Sequence, residues 1–396
     1  MTELKVDVHE KAAVLLFLLM FFGYPLFSSI ATVLDLANRL VIVPYRSIVL
    51  LLSLFIMAPL IYRRFQFSFY TIVLIVFWLY YFLRLVVDGL LSPWMFESKS
   101  LFEYWLFALG VTLLPSLAVC FALKVINEKE LSAWAARFGF VALTFCFYSY
   151  FQFVGYDLSK VVSSRYETDT LNPISFGHMC VSLAIFSAYS FCFSRGIGRF
   201  FPALVFVLSL AGIVLAGSRG PMLSFVGVLG CVVFIFNRKI LLLLFCFLVF
   251  FSMQAFFFFH DLAIFDRFSN GFFNDSARSS LIYEAVGNIF GNVFFGAGIA
   301  PMESYPHNLL LESFMILGVS GGALFLFILA SSVALSFVNI AFGRLRLISL
   351  LYIQHFIYVM VSGSLHEVAV FWVLTFIILM SSARPHHPKK FVTYGL

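Results

Sequence analysis

The stretch HDLAIFDRFSNGFFNDSARSSLIYEAVGNIFGNVFFGAGIAPMESYPHN, residues 260–308, is one long polar segment in a chain built otherwise of apolar runs. A run of about 20 apolar residues crosses the hydrocarbon of a bilayer. Such runs recur on both sides of 260–308, and twelve spans are expected: 12–30, 47–62, 67–87, 103–123, 131–154, 173–194, 200–216, 221–236, 240–259, 317–341, 347–362 and 367–382. The expected fold is all-α, a polytopic integral membrane protein of about 12 transmembrane helices forming a single membrane domain over 1–396. A β-barrel would show alternating segments of about ten residues, and these runs are continuous.

Composition agrees. The chain is 62% hydrophobic and 11% charged, against about 25% charged in an ordinary soluble domain. All six cysteines fall inside apolar runs with no CxxC, which reads as packing and neither disulfide nor metal ligation. Lys5 and Lys11 precede an apolar run without a small-x-small cleavage site, as expected for an uncleaved first span.

The net charge of +6 is explained by topology and calls for no nucleic acid. With a cytoplasmic N-terminus, fifteen basic residues fall on inner ends and loops, among them Arg63-Arg64, Arg238-Lys239 and Arg344/Arg346. Eight fall outside: Arg39, Arg46, Lys99, Lys160, Arg165, Arg219, Arg267 and Arg278. That bias sets both termini inside. The outer segments 31–46, 88–102, 155–172 and above all 260–306 are longer than the inner ones, so function is expected on the outer face.

Within 260–306, Asp275-Ser276 suits the cap of a helix running to about Phe290. Leu281, Ile282, Ala285, Val286 and Ile289 share one face of it, as in a helix lying on a membrane surface. Gly296-Ala297-Gly298 breaks the chain. Pro306-His307-Asn308 starts the next helix, with Glu312 one turn inside, and that helix is expected to continue directly into span ten.

Several residues have two readings each. Arg219, in the turn Gly217-Ser218-Arg219-Gly220-Pro221, either snorkels to headgroups or binds an anion together with a helix N-terminus. Arg278 and Arg165 are either solvated or part of the same anion site, where guanidinium forks match phosphate. His307 either starts a helix or serves as general base or hydroxyl-orienting group. Asn308 is a cap or a substrate contact, and Asp275, Glu303 and Glu312 are alternative bases. Arg84, costly in lipid, is expected to face the interior. His366-Glu367 is a further outward polar pair. There is no DxD, P-loop or HExxH, so neither a metal nor any other cofactor is expected.

LAGSRGPMLS (215–224), then NDSAR (274–278), IYEAV (282–286) and FFGAG (294–298), then YPHNLLLESFMILGVSGG (305–322) resemble the O-antigen polymerase and ligase superfamily. NPISFG (172–177) is similar to the family's segment at that place. The resemblance spans the order of elements over about 160–380. It implies a GT-C-like glycosyltransferase of the bacterial inner membrane, acting at the periplasmic face on undecaprenyl-pyrophosphate-linked glycan without a metal. It further implies that Arg219 and Arg278 hold the pyrophosphate, with Arg165 a weaker match, and that His307 assists the acceptor hydroxyl. Expected partners are the lipid bilayer, the lipid-linked glycan, and a chain-length regulator or lipid A-core acceptor. A polymerase joining repeat units fits the wording of Tyr305–Glu312 better than a ligase transferring to lipid A-core. The other class open is a transporter or flippase of lipid-linked sugar, although its charges would sit near the midplane.

Overall fold

A computed structural model describes residues 2–60, 68–92, 99–123, 127–157, 165–235, 276–302 and 304–382. The described residues form helices joined by short loops, with no strand among them. In chain order these are α1 (Thr2–Val33), α2 (Asn38–Met57), α3 (Phe69–Leu91), α4 (Leu101–Ala122), α5 (Glu128–Phe153), α6 (Pro173–Phe193), α7 (Phe200–Ala216), α8 (Arg219–Ile235), α9 (Ser276–Gly291), α10 (Leu309–Ala341), α11 (Arg346–Val361) and α12 (Ala369–Ser382). Eight helices are long and apolar enough to cross a membrane: α1 to α6, the α7 segment taken from Gly196, and α10. The shorter apolar helices α8, α11 and α12 coincide with three more expected spans. The expected span 240–259 lies outside the described residues.

A helix buried on every side belongs inside a bundle, and four stretches are of this kind. Every residue is buried in Leu16–Phe22 of α1, Phe176–Ser187 of α6, Leu347–His355 of α11 and Phe371–Leu379 of α12. These four helices make the centre. Around them, α2, α3, α7 and α8 turn large apolar side chains outward, including Leu51, Leu79, Leu90, Val207 and Val226. An outer shell of that kind suits lipid and would not suit water.

Two boundaries differ from the sequence-based expectation. Segment 31–46 was expected as an outer loop, yet α2 begins at Asn38 and runs through Pro44, so Arg46 is helical. Proline near a helix start removes one hydrogen bond to a carbonyl four residues back, here the exposed Leu40, and the helix continues. The second difference is in α10, which does not run unbroken: Gly318 sits at φ 65°, ψ −168° and splits it.

Distant loop backbone fills that break. The Val319 N–H donates to the Val293 carbonyl (2.8 Å) and the Ala297 N–H to the Met315 carbonyl (2.7 Å). Tyr80 donates to the Leu317 carbonyl at 3.2 Å. A β-carbon on Gly318 would stand 2.3 Å from the Phe294 oxygen, and one on Gly296 2.4 Å from the Ile316 carbonyl. Arg84 does face the protein, as expected. It pairs with Asp88 at 2.9 Å and donates to the Phe295 carbonyl at 3.0 Å, while Asp88 accepts from the Ile299 N–H at 2.7 Å. A buried carboxylate thus secures the 293–299 loop to α3.

The helix α9 follows its expected position. Ala285 is fully buried and Ile289 packs on the core, so part of the anticipated surface-lying face docks on α10. Tyr283, Phe290, Phe294 and Phe295 are left more than two-thirds exposed.

Candidate functional site

At the end of the bundle where α10 begins, a cavity of about 350 Å³ opens between α1, α2, α4, α6 and α12. Its size lies at the small end of ligand sites. Its polar lining comes from distant parts of the chain: Tyr24, Arg46, Asn172 and Ser175, Tyr305 and His307, and Glu367. His178, Ser182 and His355 lie on the wall contributed by α6 and α11.

Local chemistry sets each of these side chains. Asn172 caps α6, its side chain accepting from the Ser175 N–H at 2.8 Å, and Pro173 occupies the first turn. His307 stands at φ 56°, a left-handed conformation uncommon for a non-glycine residue, and its ring meets that of Tyr305 at 4.5 Å. Burial raises the Tyr305 hydroxyl to about 12. Asn308 caps α10 through the Leu311 N–H (2.9 Å) and donates to the Met360 carbonyl (3.1 Å), which fastens α10 to α11.

Glu312 is buried one turn into α10. It accepts from the Ser364 hydroxyl at 2.5 Å and the Leu365 N–H at 3.1 Å. Ser364 lies 3.0 Å from His366 Nδ1, and Thr112 donates to the His366 carbonyl at 2.7 Å. Next in the chain, Glu367 lines the cavity and accepts from Lys99. Burial alone would raise the Glu367 carboxyl, but His366 and then Lys99 hold it down at about 2. These carboxylates therefore belong to one polar cluster that ties α4, α10 and the α11–α12 loop together.

The SRGP turn is built against the same wall from behind. Gly217 ends α7 at φ 55°, and Pro221 lies so close to α6 that a β-carbon on Gly177 would sit 2.5 Å from its Cγ. A β-carbon on Gly220 would sit 3.4 Å from His178 Nε2. Arg219, half-buried at the start of α8, is thus one residue from the backbone that faces His178, and the cavity lining does not include it. Arg165 pairs with Glu167 at 2.6 Å on the surface. The next residue, Tyr166, is fully buried, stacks on Phe176 at 3.7 Å, and donates its N–H to the Leu215 carbonyl at 2.7 Å. The Arg165 loop and the SRGP turn are therefore stitched together four residues from Arg219.

Of the expected site residues, His307 is in the cavity, Asn308 and Glu312 follow it in the first turn of α10, Arg219 is in the neighbouring SRGP turn, and Arg165 is in a surface loop bonded to that turn's approach through Tyr166. Arg278 lies in the first turn of α9; its side chain, Asp275 and Glu303 lie outside the described residues. Sequence reading did not place Arg46, Tyr24 or Lys99 at this site. Arg46 is set by its neighbour Tyr45, which is buried against Gly23, stacks on Phe27 at 5.1 Å and donates to the Leu19 carbonyl at 3.0 Å. That fixes the Arg46 guanidinium 4.3 Å over the Phe107 ring. Phe107 itself lies in a wide π-helical stretch of α4, Leu106–Leu113, a distortion frequent at functional sites.

Among known proteins, no family model matches this chain and no curated sequence matches it.

Proposed function

We propose that the protein is a glycosyltransferase acting at the periplasmic face of a bacterial inner membrane, joining undecaprenyl-pyrophosphate-linked repeat units as an O-antigen polymerase. The observation that carries this reading is that His307 of Tyr-Pro-His-Asn and Asn172-Ser175 of NPISFG line one cavity. The SRGP turn that bears Arg219 is packed behind its wall. In this reading all twelve expected segments span the membrane.

The acceptor hydroxyl attacks the anomeric carbon while the bond from that carbon to the diphosphate oxygen breaks. The bonding pair leaves on the diphosphate, whose growing charge is met by Arg219 and Arg278. The hydroxyl proton passes to His307, and a single displacement inverts the anomeric centre. Polymerase is preferred to ligase on the wording of Tyr305–Glu312.

Reconstitution tests this. Purified protein is given undecaprenyl-pyrophosphate repeat units with and without lipid A-core and no added metal. A ladder from repeat units alone is the expected result. Product only with lipid A-core would make the protein a ligase. No product from folded protein supplied with its native sugar would remove the transferase reading.

A further inference from the structure

The arginine that shares the cavity with His307 is Arg46. Its guanidinium is held over Phe107 at 4.3 Å and makes no hydrogen bond or ion pair among the described residues. The carboxylate on the same wall, Glu367, is taken by Lys99, which itself lies 5.8 Å from the Phe107 ring. Glu367 is therefore occupied by Lys99, while Arg46 contacts the ring and keeps its N–H groups for another acceptor. Guanidinium is a planar fork whose N–H groups match two oxygens of an oxyanion, and held over an aromatic ring it is oriented before any ligand arrives. Ser175 and Tyr305 line the same space.

We propose that Arg46 binds an oxyanion in this cavity, the phosphoryl group next to the scissile bond of a lipid-linked diphosphate. The diphosphate identity rests on the transferase reading; the oxyanion site rests on the cavity. In the displacement above, Arg46 would then meet the oxygen that receives the bonding pair.

The test is calorimetric titration of the purified full-length protein in detergent with farnesyl diphosphate, inorganic pyrophosphate and methyl glucuronoside. Farnesyl diphosphate is expected to bind, and Arg46→Gln to weaken it at least about tenfold, the worth of a charge-assisted hydrogen bond. Arg46→Lys should recover only part of the loss, and Arg199→Gln, in the 3₁₀ turn before α7, should cause none. Should Arg46→Gln fail to fold, Arg46→Lys and Phe107→Leu carry the test, and both must weaken binding. Unchanged affinity in these variants, or no binding to the wild type, overturns the proposal. Tighter binding of methyl glucuronoside than of farnesyl diphosphate would mean that the oxyanion is the carboxylate of an acidic sugar, overturning the diphosphate assignment. Diphosphate binding that depends on Arg46, without transfer in the reconstitution, would keep this site and remove the transferase. Transfer with an unaltered KM in Arg46→Gln would do the reverse.

Discussion

Pro221 lies against Gly177 with no room for a methyl group: a β-carbon on Gly177 would stand 2.5 Å from Pro221 Cγ and 3.1 Å from the Ala216 β-carbon. The two residues belong to separate sequence motifs, NPISFG and SRGP, and the contact joins them. Gly177→Ala should destabilise the protein by about 1–3 kcal/mol through overpacking and lower glycan transfer by shifting the Arg219 turn. Gly198→Ala, where a β-carbon meets nothing within 4 Å, should do neither. Thermal unfolding in detergent and the reconstituted assay read the two effects.

His307 combines a cavity position with a left-handed backbone at φ 56°. Asparagine accepts that conformation and lacks the imidazole's proton affinity. His307→Asn is therefore expected to keep the wild-type unfolding temperature while transfer falls by about 10²–10⁴-fold, the usual worth of a general base. A parallel loss of stability and activity would point to a structural role.

Glu312 has two donors, Ser364 and the Leu365 N–H, in a fully enclosed place. Glu312→Ala leaves the Leu365 N–H without its acceptor and the Ser364 hydroxyl with only His366 Nδ1 in reach, and should cost about 1–3 kcal/mol or more. Glu312→Gln keeps one carbonyl oxygen for them and should cost less. The order of the three unfolding temperatures decides it.

The pair Lys99–Glu367 has a defined pH signature. The Glu367 carboxyl sits at about 2 in the folded protein, below the ~4.3 of a free glutamate. A depressed carboxylate stabilises fully above its unfolded value and loses that contribution as pH falls through its folded value. The difference in unfolding temperature between wild type and Glu367→Gln should be constant from pH 7 to about 5, shrink below about 4, and vanish near 2. A difference that persists unchanged at the acid end would contradict this assignment.

Much of the architecture was legible because long apolar runs stand out in a sequence, and eleven of the twelve expected segments overlap apolar helices among the described residues. The position of Glu312 one turn into α10 was legible from local signals, since Asn308 is a strong cap residue. Its partner Ser364 was not, because 52 residues separate them and no local pattern encodes that pairing. Arg46 was hidden by Pro44, which reads as loop punctuation although the helix loses only one hydrogen bond there. The break at Gly318 was hidden for a different reason. Gly318-Val319-Ser320-Gly321-Gly322 lies in the run expected to carry the helix straight into span ten, and only the approach of Phe294 and Gly296 from another segment shows that the chain parts at this point.

Gly318→Ala tests that reading. The substitution forces a side chain into a left-handed backbone and against the Phe294 oxygen at 2.3 Å, and strain of this kind costs about 1–3 kcal/mol before any clash is counted. Gly287→Ala on α9, with open space around it, should instead be neutral or stabilising by up to about 1 kcal/mol.

A broken helix is usually read as a joint about which its two pieces swing. Here the joint is spliced: Val319 and Ala297 each contribute a backbone bond across it, one on either side of Gly318. Residues 293–299 act as a batten laid over the fracture, and Arg84 and Asp88 clamp the batten to α3. Any displacement of His307 that rides on the first piece of α10 must therefore drag the batten and strain the clamp on α3, so this corner of the bundle holds His307 in place.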